Sequence, residues 1–448
     1  MAPNSWSLLQ SARAIREGKL SSVELTEACL DRIADRENEV RAFAFLNRDL
    51  ALAQARAFDE AFRSGRPAGP LGGVPLGIKD VFDTFDQPTE CGSLFFKDNQ
   101  PLADSAPVAL LRRAGAVILG KTVTSELATP APGPTRNPHD LRRTPGGSSS
   151  GSAAAVADFM VPGAIGTQTK ASVMRPASYC GVFGFKPSHG LIPRVGVLRQ
   201  SRLLDQVGSL ARSVADAALM AEVMIGYDPR DPDSRPAPAP GLAVASLEKP
   251  PAPPRFLVVR GTPWSRVKPG VEPVFEAFIE KLKVGGLVAD SKDLPGDIEK
   301  AAVWIDTVME ADTAYNYGHL YRRNKNLLSP GLMATIEKGR NISAEAYLAA
   351  LEQAPLVAER VLEFLRGYDA ILTLAATGEA EDTPESTTGQ PVFCAIWNFA
   401  GLPSLALPLL KGPEGMPVGI QLIGPKLGDC VLLRTANWLA EHCGLITD

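Results

Sequence analysis

The sequence predicts an α/β protein whose mixed, twisted β-sheet core is sandwiched between layers of α-helices. Three observations predict it. Apolar residues alternate over short runs, as at Val74, Leu76 and Ile78 and again in SLALPLL and PVGIQLI, which is the period of a strand. Elsewhere they recur at a helical period, as at Val23, Leu25, Leu30 and Ile33. The two kinds of segment interleave along the whole chain, and no fixed-period repeat interrupts them.

In chain order, residues 21–36 read as an amphipathic helix, with Ser21 and Glu24 spaced as a capping box. Residues 48–63, rich in Ala, read as a second helix, stopped by the turn GRPAGPLGG. VPLGIKDVF then reads as a strand with Lys79 near its end, followed by a helix over 107–114 and an apolar strand over 116–119. Residues 146–190 are rich in Gly, Ser and Ala and hold few charges, which gives two loops with little side chain flanking an Ala-rich helix. The nine prolines between residues 229 and 254 exclude a helix or a central strand and predict a surface connection between two halves. Beyond it, RFLVVRG and GGLVADSKDL read as strands around a helix over 271–283, and a mostly helical segment covers 295–385. GLPSLALPLL and GMPVGIQLIGP give two further strands, and a helix over 429–441 closes the fold.

Lys and Arg number 46 against 50 Asp and Glu, so no basic excess is present to displace counterions from a phosphate backbone, and nucleic acid is not an expected partner. The six cysteines form no C-x-x-C pair and are expected as reduced thiols. The N-terminal residues lack a basic segment leading into an apolar one, and no run of 18 apolar residues occurs, so a cytoplasmic protein with no membrane contact is expected. None of the four histidines has metal-ligand spacing, so no metal is expected. Gly115 to Thr122 match a P-loop pattern, but the residues between the two glycines, AVIL, suit a buried strand rather than a phosphate loop. Gly147 to Gly151 match G-x-S-x-G, yet LRRTPG precedes them where a nucleophile elbow needs an apolar strand. A serine nucleophile here therefore needs a base other than histidine.

Lys79 is a candidate for that base. Desolvation disfavours an ammonium ion and lowers the pKa towards the range where the neutral amine exists. The low-side-chain loops around 146–190 bring backbone N–H groups close together, and such a cluster can stabilise a tetrahedral oxyanion. The same residues also fit blander roles, a Gly/Ser packing loop and a lysine reaching solvent from a strand end.

Taken together, GGVPLGIKD (72–80), NPHDLRRTPGGSSSGSAAAVA (137–157), GTQTKASVMRPASYCGVFGFKPS (166–188) and NFAGLPSLALP with GMPVGIQLIG (398–424) resemble the amidase signature family, in the right order and over most of the chain. The resemblance implies the amidase-signature fold as one domain over 1–448. Within it, an N-terminal helical part covers 1–70, the signature core 71–228, the Pro-rich connection 229–254 and a variable substrate-pocket segment 295–385. It also implies a Ser–cis-Ser–Lys triad of Lys79, Ser148 and Ser172, with Ser172 as nucleophile and Ser148 held through a cis peptide. Thr169, Lys170, Ala171 and Ser172 would supply oxyanion N–H groups, with Ser149, Gln168 and Arg175 as supporting or substrate residues. No cofactor is implied.

Lys170-Ala171 replaces the family's usual Gly-Gly, which raises the question of a strained or rerouted loop if either glycine needs φ > 0. This change and the aromatic residues Trp304, Tyr315, Tyr317 and Tyr321 point within the resemblance to its urethane-cleaving branch. They also suggest aromatic pocket walls that favour neutral aryl or alkyl amides and carbamates. The alternative within the family is the A-type subunit of a tRNA-dependent glutamyl/aspartyl amidotransferase. The substrate is expected to be a small molecule; homo-oligomerisation is not readable.

Overall fold

The computed structural model describes residues 2–236 and 241–445. Eleven strands form one mixed sheet: β1 (Phe43–Leu46), β2 (Pro75–Lys79), β3 (Val117–Thr122), β4 (Gly163–Gln168), β5 (Phe183–Lys186), β6 (Gln206–Ala211), β7 (Arg255–Val259), β8 (Val288–Lys292), β9 (Ala370–Leu374), β10 (Ser404–Lys411) and β11 (Pro417–Ile423). Their order across the sheet is β1-β3-β2-β4-β6-β5-β10-β11-β9-β7-β8. The chain before the proline-rich stretch supplies β1 to β6 and the chain after it β7 to β11. The two groups join where β5 and β10 pair antiparallel, with Phe185 opposite Leu405.

Helices cover both faces of the sheet, and the alternation in its strands shows how. In β7, Phe256 and Val258 belong to the main core, while Leu257 and Val259 belong to a second core with the helices Ala301–Asn324 and Ala344–Phe364. In β9 the same split separates Leu372 from Ile371. Side chains two apart share a face, so a strand apolar at every position must be covered twice.

The local signals hold. Ser21 caps the helix Ser22–Val40 with both hydrogen bonds of the capping box, and the Ala-rich helix spans Arg48–Arg63. The P-loop-like residues lie in β3, which is buried throughout. A helix, Leu242–Leu247, sits inside the proline-rich stretch, where sequence reading expected only connection; Pro238 and Pro240 lie outside the described residues. Among the described residues no cysteine forms a disulfide, and no helix is long and apolar enough to cross a membrane.

Two features of this architecture place the site. β2 and β4 run parallel and adjacent, with Ile78 beside Ile165, so the chain leaves both strands on the same side of the sheet. The short helices Ser150–Ala157 and Met174–Cys180 are buried along almost their whole length. A helix apolar on every face has to be buried. Gly151 makes this packing possible: a Cβ there would lie 2.2 Å from the Ala42 carbonyl oxygen and 2.4 Å from the Val123 nitrogen.

Candidate active site

Lys79 ends β2 with its side chain fully buried. Its Nζ lies 2.8 Å from Ser148 Oγ and 2.7 Å from Thr167 Oγ1. Ser148 follows a cis peptide bond from Gly147, so the chain turns its hydroxyl to the lysine just before the helix Ser150–Ala157 begins. Burial pushes the Lys79 pKa down to about 7, opposed by the charge of Asp205.

Among the described residues Lys121 and Lys186 are equally buried, and their partners set Lys79 apart. Lys121 faces the Asp80 carboxylate at 3.1 Å and donates to Pro88 O and Thr89 Oγ1. Lys186 donates to Pro187 O, Gln206 Oε1 and Leu402 O, all acceptors only, which hold it as an ammonium ion even though burial lowers its pKa to about 7 as well. Lys79 meets two hydroxyls, and a hydroxyl can donate to a neutral amine as readily as it accepts from an ammonium. Its surroundings therefore tolerate the loss of a proton.

Ser172 lies on the turn between β4 and the helix Met174–Cys180. It is 9% exposed, against 2% for Ser148 and none for Lys79, and its Oγ makes no hydrogen bond to a described residue. The two serine loops are tied by the Ser149 N–H, which donates to the Ser172 carbonyl at 3.4 Å. Along the turn, the backbone N–H groups of Thr169, Lys170, Ala171 and Ser172 donate to no described residue. Four consecutive unengaged donors beside a serine hydroxyl suit an oxygen atom that gains negative charge. Neither Lys170 nor Ala171 has a positive φ, so the replacement of the usual glycines leaves the turn unstrained.

The supporting residues fix this turn. Gln168 Oε1 accepts from the N–H groups of Val173 and Met174, at 3.0 and 3.1 Å, and its Nε2 approaches Asn398 Oδ1 at 3.4 Å. Asn398 in turn donates to the Thr169 carbonyl at 2.7 Å. The Thr169 hydroxyl donates to Asp205, which also accepts from the N–H groups of Gln200 and Ser201. The Arg175 guanidinium donates to the carbonyls of Gly147 and Gly389 and to Thr388 Oγ1, holding the Ser148 loop against residues 388–389. Ser149 Oγ donates to the Thr167 carbonyl at 3.2 Å.

Ser148 and Ser172 share the wall of a cavity of about 80 Å³, with Thr169, Lys170, Ala171, Arg175, Gln200 and Met309 among its other lining residues. A larger cavity, about 380 Å³, reaches Thr167 and Asp205 but is lined by none of Lys79, Ser148 and Ser172. The aromatic walls expected from the sequence are absent from the smaller cavity. Tyr315 is 84% exposed, the buried Tyr317 hydroxyl donates to the Leu127 carbonyl, and Tyr321 donates to Glu337. Trp304 lines a separate groove with Leu356 and Arg360. These side chains point elsewhere because Ala301–Asn324 is a continuous helix that turns only part of its surface to the nucleophile loop, and Met309 occupies that part.

Thr167, Asp205 and Asn398 were missed by sequence reading. Thr167 carried a signal, a hydroxyl one residue before the end of a small-residue strand, whereas Asp205 and Asn398 reach the turn only through folding.

Similarity to known proteins agrees with this geometry. The Amidase family model matches residues 24–433. The A chain of the glutamyl-tRNA(Gln) amidotransferase from Acidothermus cellulolyticus is 34% identical, over 95% of this chain and 92% of that protein. A structure described as an unexpected vestigial protein complex, which reveals the evolutionary origins of an s-triazine catabolic enzyme, superposes with a TM-score of 0.90 at 27% identity, covering 98% of both chains. Native peptide amidase from Stenotrophomonas maltophilia superposes with a TM-score of 0.84 at 29% identity, over 98% of this chain and 97% of that one. With its buried lysine beside Ser148 and its turn of free N–H groups at Ser172, this chain belongs to the Amidase family.

Proposed function

We propose that this protein cleaves amide-type C–N bonds by acyl transfer through Ser172. One observation carries the reading: among the described residues Lys79 is the fully buried lysine held by hydroxyls alone, and one of them, Ser148 Oγ, lies on the wall of the cavity that contains Ser172 and its four free N–H groups. In the proposed sequence neutral Lys79 takes the proton of Ser148, which takes that of Ser172 as Oγ attacks the carbonyl carbon. The carbonyl oxygen becomes an oxyanion and accepts from the N–H groups of residues 169–172. The relay then returns the proton to the leaving amine, and water hydrolyses the acyl ester by the same route. No step calls for a metal or a cofactor.

Carbamates present the same carbonyl to Ser172, so the reading includes them as substrates, whereas a preference for bulky aryl groups loses its support with the displaced aromatic residues. A second reading is supported by the relative from Acidothermus cellulolyticus, 34% identical over nearly the whole chain, which is one component of an amidotransferase. In that role the chain would release ammonia from glutamine for a partner. Assay of the purified chain alone, without ATP, on glutamine, a primary amide, an anilide and an N-aryl carbamate separates the two. Turnover of the non-glutamine substrates supports the independent hydrolase, and activity only in the presence of partner proteins supports the second reading. Retention of activity by Ser172→Ala would contradict both.

A further inference from the structure

The cavity beside Ser172 carries charge of one sign. Lys170 and Arg175 are its charged lining residues, and among the described residues no carboxylate lines it. Arg175 is buried, and its Nε has no acceptor among them. Asp205, which interacts with Lys79, is already taken up by Thr169, Gln200 and Ser201. A donor-rich, positive cavity favours an anionic ligand over a neutral one of the same size.

Lys170 is the adaptable member of this set. Its Nζ lies 2.6 Å from Asp306 Oδ1, with side-chain exposures of 21% and 65%. Solvent screens such a pair and both long side chains lose freedom in it, so the contact is weak and a ligand carboxylate can take the place of Asp306. Asp306 stands on the helix Ala301–Asn324, whose Met309 lines the cavity, which places the ammonium between that helix and the nucleophile turn.

We propose that Lys170 is a specificity-determining residue that binds a carboxylate carried by the substrate close to its scissile carbonyl, with Asp306 holding the ammonium in position until substrate arrives. The inference rests on the acyl-transfer reading and adds its substrate class: amides or carbamates bearing an anionic substituent, in place of the neutral aryl substrates expected from the sequence.

Matched p-nitroanilides test it. Butyric acid p-nitroanilide is neutral and reports acyl transfer itself, succinic acid mono-p-nitroanilide adds a carboxylate on the acyl side, and the butyramide of 3-aminobenzoic acid adds one on the amine side. The proposal expects wild-type kcat/KM for at least one carboxylated probe to exceed that of its neutral counterpart by about tenfold or more. Lys170→Met should abolish that ratio, Lys170→Arg should keep it, and Asp306→Asn should lower KM for the acid while leaving the neutral anilide unchanged. Hydrolysis of the neutral anilide with no preference for either acid, or a preference that survives Lys170→Met, would overturn the role of Lys170 and leave acyl transfer standing. Absence of turnover of every probe would count against both.

Discussion

Lys79 Nζ lies 2.8 Å from Ser148 Oγ, although 69 positions separate the two residues in the chain. The contact forms because β2 delivers Lys79 at its end while the cis bond before Ser148 turns the hydroxyl back towards it. Each residue alone has a blander explanation, and only their contact makes a base.

That contact predicts the pH dependence. Lys79 has its pKa pushed down to about 7, and the proposed relay needs the neutral amine, so kcat/KM should rise with pH through about 7 and then level off. Stability carries the matching sign. Because the folded-state value lies below the ordinary 10.5, the unfolded chain binds the extra proton between about 7 and 10.5, and the contribution of this group to stability increases with pH across that window. Lys79→Met should abolish turnover and flatten this part of the pH dependence of the melting temperature. A profile that falls with pH through the same range would contradict the assignment.

Thr167 should act as a positioning residue. Thr167→Val keeps the shape and removes the hydroxyl 2.7 Å from Lys79 Nζ. Loss of an acceptor disfavours the ammonium further, so the midpoint of the pH profile should move to lower pH, with kcat/KM lower by roughly 10- to 100-fold, within the range of general acid–base effects. An unchanged midpoint would mean that Ser148 alone sets the state of the lysine.

Gln168 should be needed for the nucleophile turn rather than for the proton relay. Gln168→Leu leaves the N–H groups of Val173 and Met174 buried without their acceptor, at a cost of about 1–3 kcal/mol each. Gln168→Glu keeps both acceptors, and should retain the melting temperature far better. Equal melting temperatures for the two variants would show that the turn is held by other contacts.

Gly151 tests the packing. Gly151→Ala drives a methyl group into the Ala42 carbonyl, and backbone on both sides leaves no flexible group to give way. A loss of about 1–3 kcal/mol or more is expected, read as a lower thermal midpoint or loss of soluble protein. Wild-type stability would mean that the helix Ser150–Ala157 can shift.

Much of this was legible in the sequence wherever the signal is local. The capping box at Ser21 and Glu24, the alternation that makes β2 and β11, and the apolar run that places Gly115 to Thr122 in a strand rather than a phosphate loop all depend on near neighbours. The family motifs supplied Lys79, Ser148 and Ser172 as a set, which periodicity alone does not. What stayed hidden depends on distant chain segments. β1 has four residues and too little pattern to stand out. Asn398 reaches the Thr169 carbonyl from 229 positions away. The helix Ala301–Asn324 turns Met309 to the cavity and leaves Tyr315 in solvent, a choice of face that its weakly patterned sequence does not reveal.

The account turns on Ser172 as the group that becomes acylated, and this is read most directly by peptide mass spectrometry after reaction with a fluorophosphonate. A single adduct is predicted on the peptide containing Ser172, absent in Ser172→Ala and formed far more slowly in Lys79→Ala, because the neutral lysine draws the proton away through Ser148. An adduct on Ser148 or on another serine, with Ser172 unmodified and turnover lost, would contradict it.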